Sequence, residues 1–344
     1  MPYRLKNNVD LDSISEEELL NTRVCDLPLT IKGTWVEDCV EELYKELAQR
    51  QIRYRPKCFL ADEWLTPEKE TCIGIPFYLA HPRLIALEKR FMDAAEGEGI
   101  NECMKLLRHE AGHAIYYAYK IYNRRKWQTL FGSSKAEYPD TYKYRPYSRN
   151  FVRHLEGHYA QYHPEEDFVE TFAVWLTPGL DWKKQYKGWK ALEKLKYVDQ
   201  LMRSLKERNP RNTSARQYWR ISTIKCTLKY FYKRKTQSLA EDIPDFHDPF
   251  LKSNFRLPPS TQNQGYQADE IIKKYRKELI NSVAMISGEK KHTIDELLKS
   301  IQKRSRQLHL STDEQESKVL LNVSSYITSL AKNYQYTGRY RGGN

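Results

Sequence analysis

The chain has 344 residues, a formal net charge of +12 and hydrophobic side chains at 40% of its positions. This length and composition suffice for one large or two modest domains with packed cores, and the 12% aromatic content argues against wholesale disorder. The sequence contains no run of about 18 apolar residues, so it predicts no transmembrane helix. Its first residues lack the apolar stretch of a secretory signal. We therefore expect a cytoplasmic protein, with leaderless export left open.

The first hundred residues predict a mixture of helices and strands. Apolar spacing predicts helices over 16–20, 34–51 and 82 to about 95, and strands over 53–60 and 72–79. The six cysteines are scattered and form no C-x-x-C pair, which favours reduced thiols. This mixture predicts an α+β fold with a small sheet.

An H-E-x-x-H motif follows within a predicted helix over 100–122. His109 and His113 are four residues apart, so they share one helix face, and this spacing suits a tetrahedral Zn²⁺. Glu110 directly follows the first histidine and can reach a metal-bound water. Gly112 weakens a helix, so its presence indicates that another element packs very close. The competing interpretation is two ordinary histidines beside a solvated glutamate.

The segment from 126 to 150 is irregular, and so long a loop within a domain is usually a functional loop or a lid.

A helix resumes near Pro164, where Glu166 and Glu170 lie one turn apart among aromatic residues. Two carboxylates on an apolar face are costly unless something cationic meets them. A solvated acidic first turn, favoured by the helix dipole, is the competing interpretation, and it accounts well for Glu165.

Positive charge is concentrated after this helix. Residues 181–240 hold 17 lysines and arginines against 4 acidic residues, interleaved with aromatics, and predict a basic extension that includes helices over 182–206 and 214–233. Such a segment can bind nucleic acid, steer acidic substrates, or simply be a solvated face. We predict a first domain over 1–240, a Pro-rich linker over 241–265 and a helical accessory region over 266–344.

The paired motifs H-E-A-G-H and, about fifty residues later, E-x-x-x-E-x-F-A resemble the gluzincin metallopeptidases. By this resemblance Glu166 is the third zinc ligand, and Glu170 is a carboxylate that steadies a ligand histidine. Lethal-factor-like and Pro-Pro-endopeptidase-like gluzincins also place a tyrosine seven residues before the third ligand. That position is Tyr159 here, which the resemblance implies stabilises the oxyanion. The stretch 163–178 more closely resembles bacterial zinc-binding metallopeptidases of unassigned substrate, and the resemblance covers about 72–202.

Two departures from the gluzincin pattern concern the ligands. The gap from His113 to Glu166 is longer than in thermolysin-like members, and Asp167 adjoins Glu166 as a rival ligand. A metzincin is disfavoured, because Tyr116 and Tyr119 stand where that class has a glycine and its third histidine.

A further histidine group can line the cleft, hold a second metal or be structural; its members are His154, His158 and His163. We expect a single zinc ion, with His158 and Asp167 as candidate cleft residues.

The sequence thus predicts a zinc-dependent metallopeptidase with a zincin-like α+β domain. A metal-activated water would hydrolyse the peptide bond, with Glu110 as general base. Two alternatives stay open. One is a non-catalytic zinc protein, and the other is a nucleic-acid-associated protein that uses the basic helices of 181–240. No membrane partner is expected.

Overall fold

A computed structural model describes residues 10–92, 94–139, 144–237, 246–256 and 266–337. Helices predominate and are accompanied by two two-stranded sheets, so the predicted α+β class is confirmed. In these ranges no helix combines the length and apolar character needed to cross a membrane. All six cysteines carry free thiols.

The chain divides into two units, one built from 1–89 and 95–232 and the other from 90–94 and the residues after 232. In chain order the elements through the end of the first unit are α1 (Glu16–Asn21), α2 (Trp35–Gln49), β1 (Lys57–Ala61), β2 (Cys72–Pro76), α3 (Pro82–Met92), α4 (Ile100–Ala118), α5 (Arg125–Phe131), α6 (Pro164–Leu176), α7 (Trp182–Gln185), α8 (Ala191–Ser204) and α9 (Leu228–Gln237).

The sheet of the first unit is small and parallel. Strands β1 and β2 pair from Lys57 opposite Cys72 to Ala61 opposite Pro76. Single antiparallel bridges join Leu65 to Gly74 and Ala61 to Arg220. The sheet therefore also receives chain segments from far along the sequence.

Helices α4 and α6 pack against each other and together carry the H-E-x-x-H motif and the downstream acidic motif. A Cβ atom on Gly112 would lie 2.9 Å from Val169 Cγ1 and 3.2 Å from the backbone of Val169. The close packing predicted at Gly112 is confirmed, and it sets the distance between the two motif-bearing helices.

We expect Gly112→Ala to lower the free energy of unfolding by roughly 1–3 kcal/mol, because the added methyl group overpacks the α4–α6 contact. In a helix interior, alanine is otherwise more stable than glycine by up to about 1 kcal/mol. Urea denaturation of the two proteins measures the sign directly. A more stable Gly112→Ala variant would show that the helices can separate without cost.

Three parts of the first unit differ from the sequence predictions. The irregular stretch after 126 begins inside a helix, α5, whose Trp127 and Phe131 are buried.

The basic helix predicted over 214–233 is wrong for most of its length, since α9 begins only at Leu228. The chain before it is held by long-range contacts instead: the Thr71 N–H donates to the Ser214 carbonyl, and Arg216 N–H donates to the Glu70 carboxylate, both at 2.8 Å. The helix predicted over 182–206 is broken between α7 and α8.

The second unit is a helical cluster. Its elements are α10 (Asp248–Asn254), β3 (Tyr266–Gln267), α11 (Ala268–Lys274), α12 (Arg276–Ser287), α13 (Lys291–Gln307), β4 (Ser311–Thr312) and α14 (Glu316–Thr337). Strands β3 and β4 pair in an antiparallel ladder. The core contains Ile271, Val283, Ile301 and Val323, all at most 2% exposed.

The linker predicted over 241–265 needs a correction in its middle. Residues 246–256 include α10, whose Leu251 is fully buried in the core of the second unit. Arg304 forms a two-pronged ion pair with Asp248 at the start of this helix. The parts 241–245 and 257–265 lie outside the described residues, and the domain boundaries as a whole stay a prediction.

Candidate metal centre

The two histidines of the H-E-x-x-H motif lie side by side on the buried face of α4. Their ring centroids are 5.1 Å apart, and both residues are buried. Opposite them, Glu166 projects from the first turn of α6. Its Oε2 atom lies 3.3 Å from His109 Nε2 and 3.4 Å from His113 Nε2.

The start of α6 is determined locally. His163 caps the helix, Pro164 occupies a first-turn position where the missing N–H is tolerated, and an acidic first turn suits the helix dipole. The Nδ1 atom of His163 accepts the N–H of Glu165 at 3.1 Å, so its Nε2–H donates to the Ala136 carbonyl, also at 3.1 Å. Both ring nitrogens of His163 are thereby used, and this residue is not available as a ligand.

The donor set fits a zinc ion. Ligand atoms about 2.0–2.1 Å from a tetrahedral zinc lie roughly 3.3–3.4 Å from one another, which is the separation of Glu166 Oε2 from each imidazole Nε2. Oε2 is buried and has no hydrogen-bond partner among the described residues. An unpaired buried carboxylate oxygen is costly, and a cation between these three atoms would satisfy it. In the part of the chain that is described, His109, His113 and Glu166 are the one such metal-compatible group.

Each of these histidines has its own carboxylate on the far side of the ring. His109 Nδ1 lies 2.8 Å from Glu170 Oε1, and His113 Nδ1 lies 2.7 Å from Glu165 Oε1. A carboxylate only accepts a hydrogen bond, so both Nδ1 atoms carry a proton. The Nε2 atom of each ring, when deprotonated, has a lone pair that can bind a metal. Glu170 also accepts the N–H of Leu155 at 2.9 Å.

The Glu170 carboxylate contacts His109, and its role as a support for a ligand stays a prediction, whereas the competing interpretation of Glu165 as a solvated residue is wrong. Glu165 is only 7% exposed, and its carboxylate reaches His113. A signal was present in the sequence, because two candidate ligand imidazoles need two acceptors and α6 offers three carboxylates besides Glu166, which are Glu165, Asp167 and Glu170. Which side of α6 faces α4 could not be read from the helix alone.

The carboxylates control the protonation of the imidazoles. Burial would lower the pKa of His109, but the neighbouring carboxylates of Glu166 and Glu170 outweigh burial and raise that pKa to about 9. The pKa of His113 rises well above its usual value against burial, through the charge of Glu166 and the bond to Glu165. The same contacts overcome burial at Glu166 and hold its pKa well below the usual value. Metal binding at these imidazoles therefore competes with their protonation.

Glu110 lies on α4 between the two histidines and is also buried. Its Oε2 atom has no hydrogen-bond partner among the described residues. Burial raises the pKa of this carboxyl, and the neighbouring imidazoles partly oppose that rise. The Glu110 backbone is fixed by the Thr66 hydroxyl, which donates to its carbonyl at 3.1 Å.

Two tyrosines lie beside the candidate ligands. Tyr159 was predicted from the sequence, and its ring centroid lies 5.6 Å from that of His109. It belongs to a 3₁₀ helix, Glu156–Gln161, in which Gly157 and His158 have left-handed backbone angles. Tyr138 was not predicted: its hydroxyl donates to Glu166 Oε1 at 2.8 Å. It lies 28 positions before Glu166 in an irregular segment, where no periodicity marks it.

The remaining candidates have other partners. The Asp167 carboxylate forms a buried ion pair with Lys194 on α8, so it faces that amine instead of the imidazoles. The Nε2 atom of His154 contacts the Lys105 carbonyl at 3.0 Å, and burial lowers the pKa of this imidazole. His158 stacks on Tyr144 with ring centroids 4.6 Å apart. The structure thus does not bring the second histidine group together as a metal site.

The aromatic residues of the basic segment differ in burial. Four are buried and belong to the packing of the first unit: Trp182, Tyr186, Tyr197 and Tyr232. Trp189 and Phe231 are half-buried. Tyr218, Trp219 and Tyr230 are exposed, Trp219 by 58%. The nucleic-acid alternative therefore depends on the exposed and half-buried residues and stays a prediction.

Comparison with known proteins supports the metal centre. Residues 97–201 match a protein-family model described as "Putative zinc-binding metallo-peptidase". The matched segment contains both motif helices but less than half of the chain. The family resemblance predicted from the two motifs is confirmed over this segment. No curated protein and no solved structure matches the chain.

Proposed function

We propose that the protein is a zinc-dependent metallopeptidase with His109, His113 and Glu166 as its metal ligands. The observation that carries the proposal is the buried Oε2 atom of Glu166, which accepts no hydrogen bond from the described residues and lies 3.3 and 3.4 Å from two imidazole nitrogens. Three protein ligands from His₂Glu leave one position open, which is typical of catalytic rather than structural zinc.

Glu110 is the proposed general base. When bound, zinc supplies a Lewis acid that polarises a carbonyl and lowers the pKa of water toward about 7. A carboxylate with an unpaired buried oxygen and a raised pKa can take the proton from the attacking water and later deliver it to the leaving amine. This unused oxygen favours a catalytic role over a purely structural one.

Tyr159 is the proposed donor to the carbonyl oxygen of the scissile bond. Its ring lies beside that of His109, and the left-handed residues Gly157 and His158 set the local course of the chain. A phenol that donates to an oxygen as it gains negative charge binds the transition state more strongly than the substrate. Substrates of this class are peptides, and neither the residues nor the family match names a sequence preference.

Metal analysis beside a peptide-library cleavage assay tests the proposal. We expect one zinc ion per chain, peptide cleavage that stops on chelation, and recovery when zinc is restored. Zinc binding without cleavage of any library peptide would favour the non-catalytic alternative. A protein that binds no zinc, or that cleaves equally after chelation, would contradict the assignment.

A further inference from the structure

The third candidate ligand is contacted by a residue from outside both motif helices. Tyr138 lies in the irregular stretch after α5, and its hydroxyl donates to Glu166 Oε1 at 2.8 Å. The residue is 47% exposed, whereas Glu166 is 3% exposed. The partly exposed side chain of Tyr138 therefore donates a hydrogen bond to a buried carboxylate.

The position of Tyr138 is fixed from several directions. Its ring stacks on the imidazole of His163, with centroids 3.8 Å apart and planes inclined by 16°. The same segment is tied to His163 through the Ala136 carbonyl and to Tyr162, whose hydroxyl donates to the Pro139 carbonyl at 2.8 Å. All of these anchors lie next to the start of α6, which also carries Glu166.

The two oxygens of Glu166 consequently have different surroundings. Oε2 faces the imidazole nitrogens and accepts no hydrogen bond within the described part of the chain, while Oε1 accepts the Tyr138 hydroxyl. An oxygen that accepts a strong hydrogen bond has less charge to give to a cation, and the bond restrains rotation of the carboxylate.

We infer that Tyr138 is a positioning residue that keeps Glu166 a one-oxygen ligand of the zinc ion. This inference rests on the proposed function, since it requires zinc at the site. Glu166 with both oxygens free could bind zinc in a bidentate manner and fill the position that the substrate needs. Tyr138 thus preserves the open position without touching the substrate.

The test compares cobalt-loaded and zinc-loaded protein with the variant Tyr138→Phe. The variant keeps the ring that stacks on His163 and removes only the hydroxyl, so we expect an unchanged circular dichroism spectrum. Four-coordinate Co²⁺ absorbs visible light more strongly than five-coordinate Co²⁺, so the visible band should weaken if Glu166 becomes bidentate. Zinc affinity should fall by roughly 10–100-fold, as is usual when a ligand loses its supporting hydrogen bond.

Tyr162→Phe is the matched control. It removes a hydroxyl that ties down the same segment, but that hydroxyl donates to a backbone carbonyl and not to Glu166. Its cobalt spectrum should match that of the parent. An equal change in the cobalt spectra of both variants would show that the effect comes from the segment and not from the bond to Glu166. An unchanged spectrum and zinc affinity in Tyr138→Phe would show that this bond does not affect the metal. Either result overturns the inference. In both cases a parent protein that binds one metal leaves the proposed function standing. A parent that binds no metal overturns both.

Discussion

A Glu110→Gln variant should keep its zinc and lose peptide hydrolysis, with kcat reduced by about 10²–10⁴-fold. The amide has nearly the shape of the carboxylate but cannot accept the proton of the attacking water. Glu110 is not among the three metal-compatible side chains, so the ligand set is unchanged. Zinc content by mass spectrometry and kcat on a cleaved peptide give the two measurements.

Glu102→Gln is the appropriate control for that variant. It makes the same chemical change in the first turn of the same helix, at an exposed position. It should retain parental kcat and zinc. If Glu110→Gln hydrolyses peptides at the parental rate, another group is the base; if it loses zinc, Glu110 supports the metal itself.

The second large effect is expected from Glu166→Ala. This change removes one of three ligands, so zinc affinity should fall by more than the roughly 10–100-fold that is usual for a supporting residue. Two buried imidazoles also lose the carboxylate that faces both of them. Competition with a chromophoric chelator measures the zinc dissociation constant.

Glu156→Ala removes an exposed carboxylate from the neighbouring 3₁₀ helix and should leave zinc affinity unchanged. Should Glu166→Ala bind zinc as tightly as the parent, the ligand assignment is wrong. The candidates would then be Asp167, His154, His158 and His163, and each would first have to leave its present partner.

The candidate ligands could be predicted because their positions follow from helix periodicity and from a known motif. His109 and His113 share a helix face because they are four residues apart, and Gly112 indicated the close approach of another element, which the structure identifies as α6. Glu165 and Tyr138 could not be predicted in the same way. Their roles depend on how α6 turns toward α4 and on where an irregular segment crosses it, which are properties of the packed unit.

The error at 214–233 has the same origin. Apolar and basic residues there have helical spacing, yet Ser214 and Arg216 contact residues 70 and 71 near β2, and Arg220 bridges to β1. Hydrogen bonds between residues about 140 positions apart replace the local helix, and no local pattern reports them. By contrast, the end of the predicted helix, residues 228–233, is helical as part of α9.

The buried pair between Asp167 and Lys194 sets a lower limit on the size of a fragment that could retain this centre. Lys194 comes from α8, and its amine also donates to the Asn150 carbonyl at 2.9 Å, so it joins α6 to the chain that precedes the 3₁₀ helix. Truncation before α8 would leave the Asp167 carboxylate buried without its partner, next to the third candidate ligand, at a cost of several kcal/mol. A fragment meant to retain the candidate metal centre should therefore extend past residue 204.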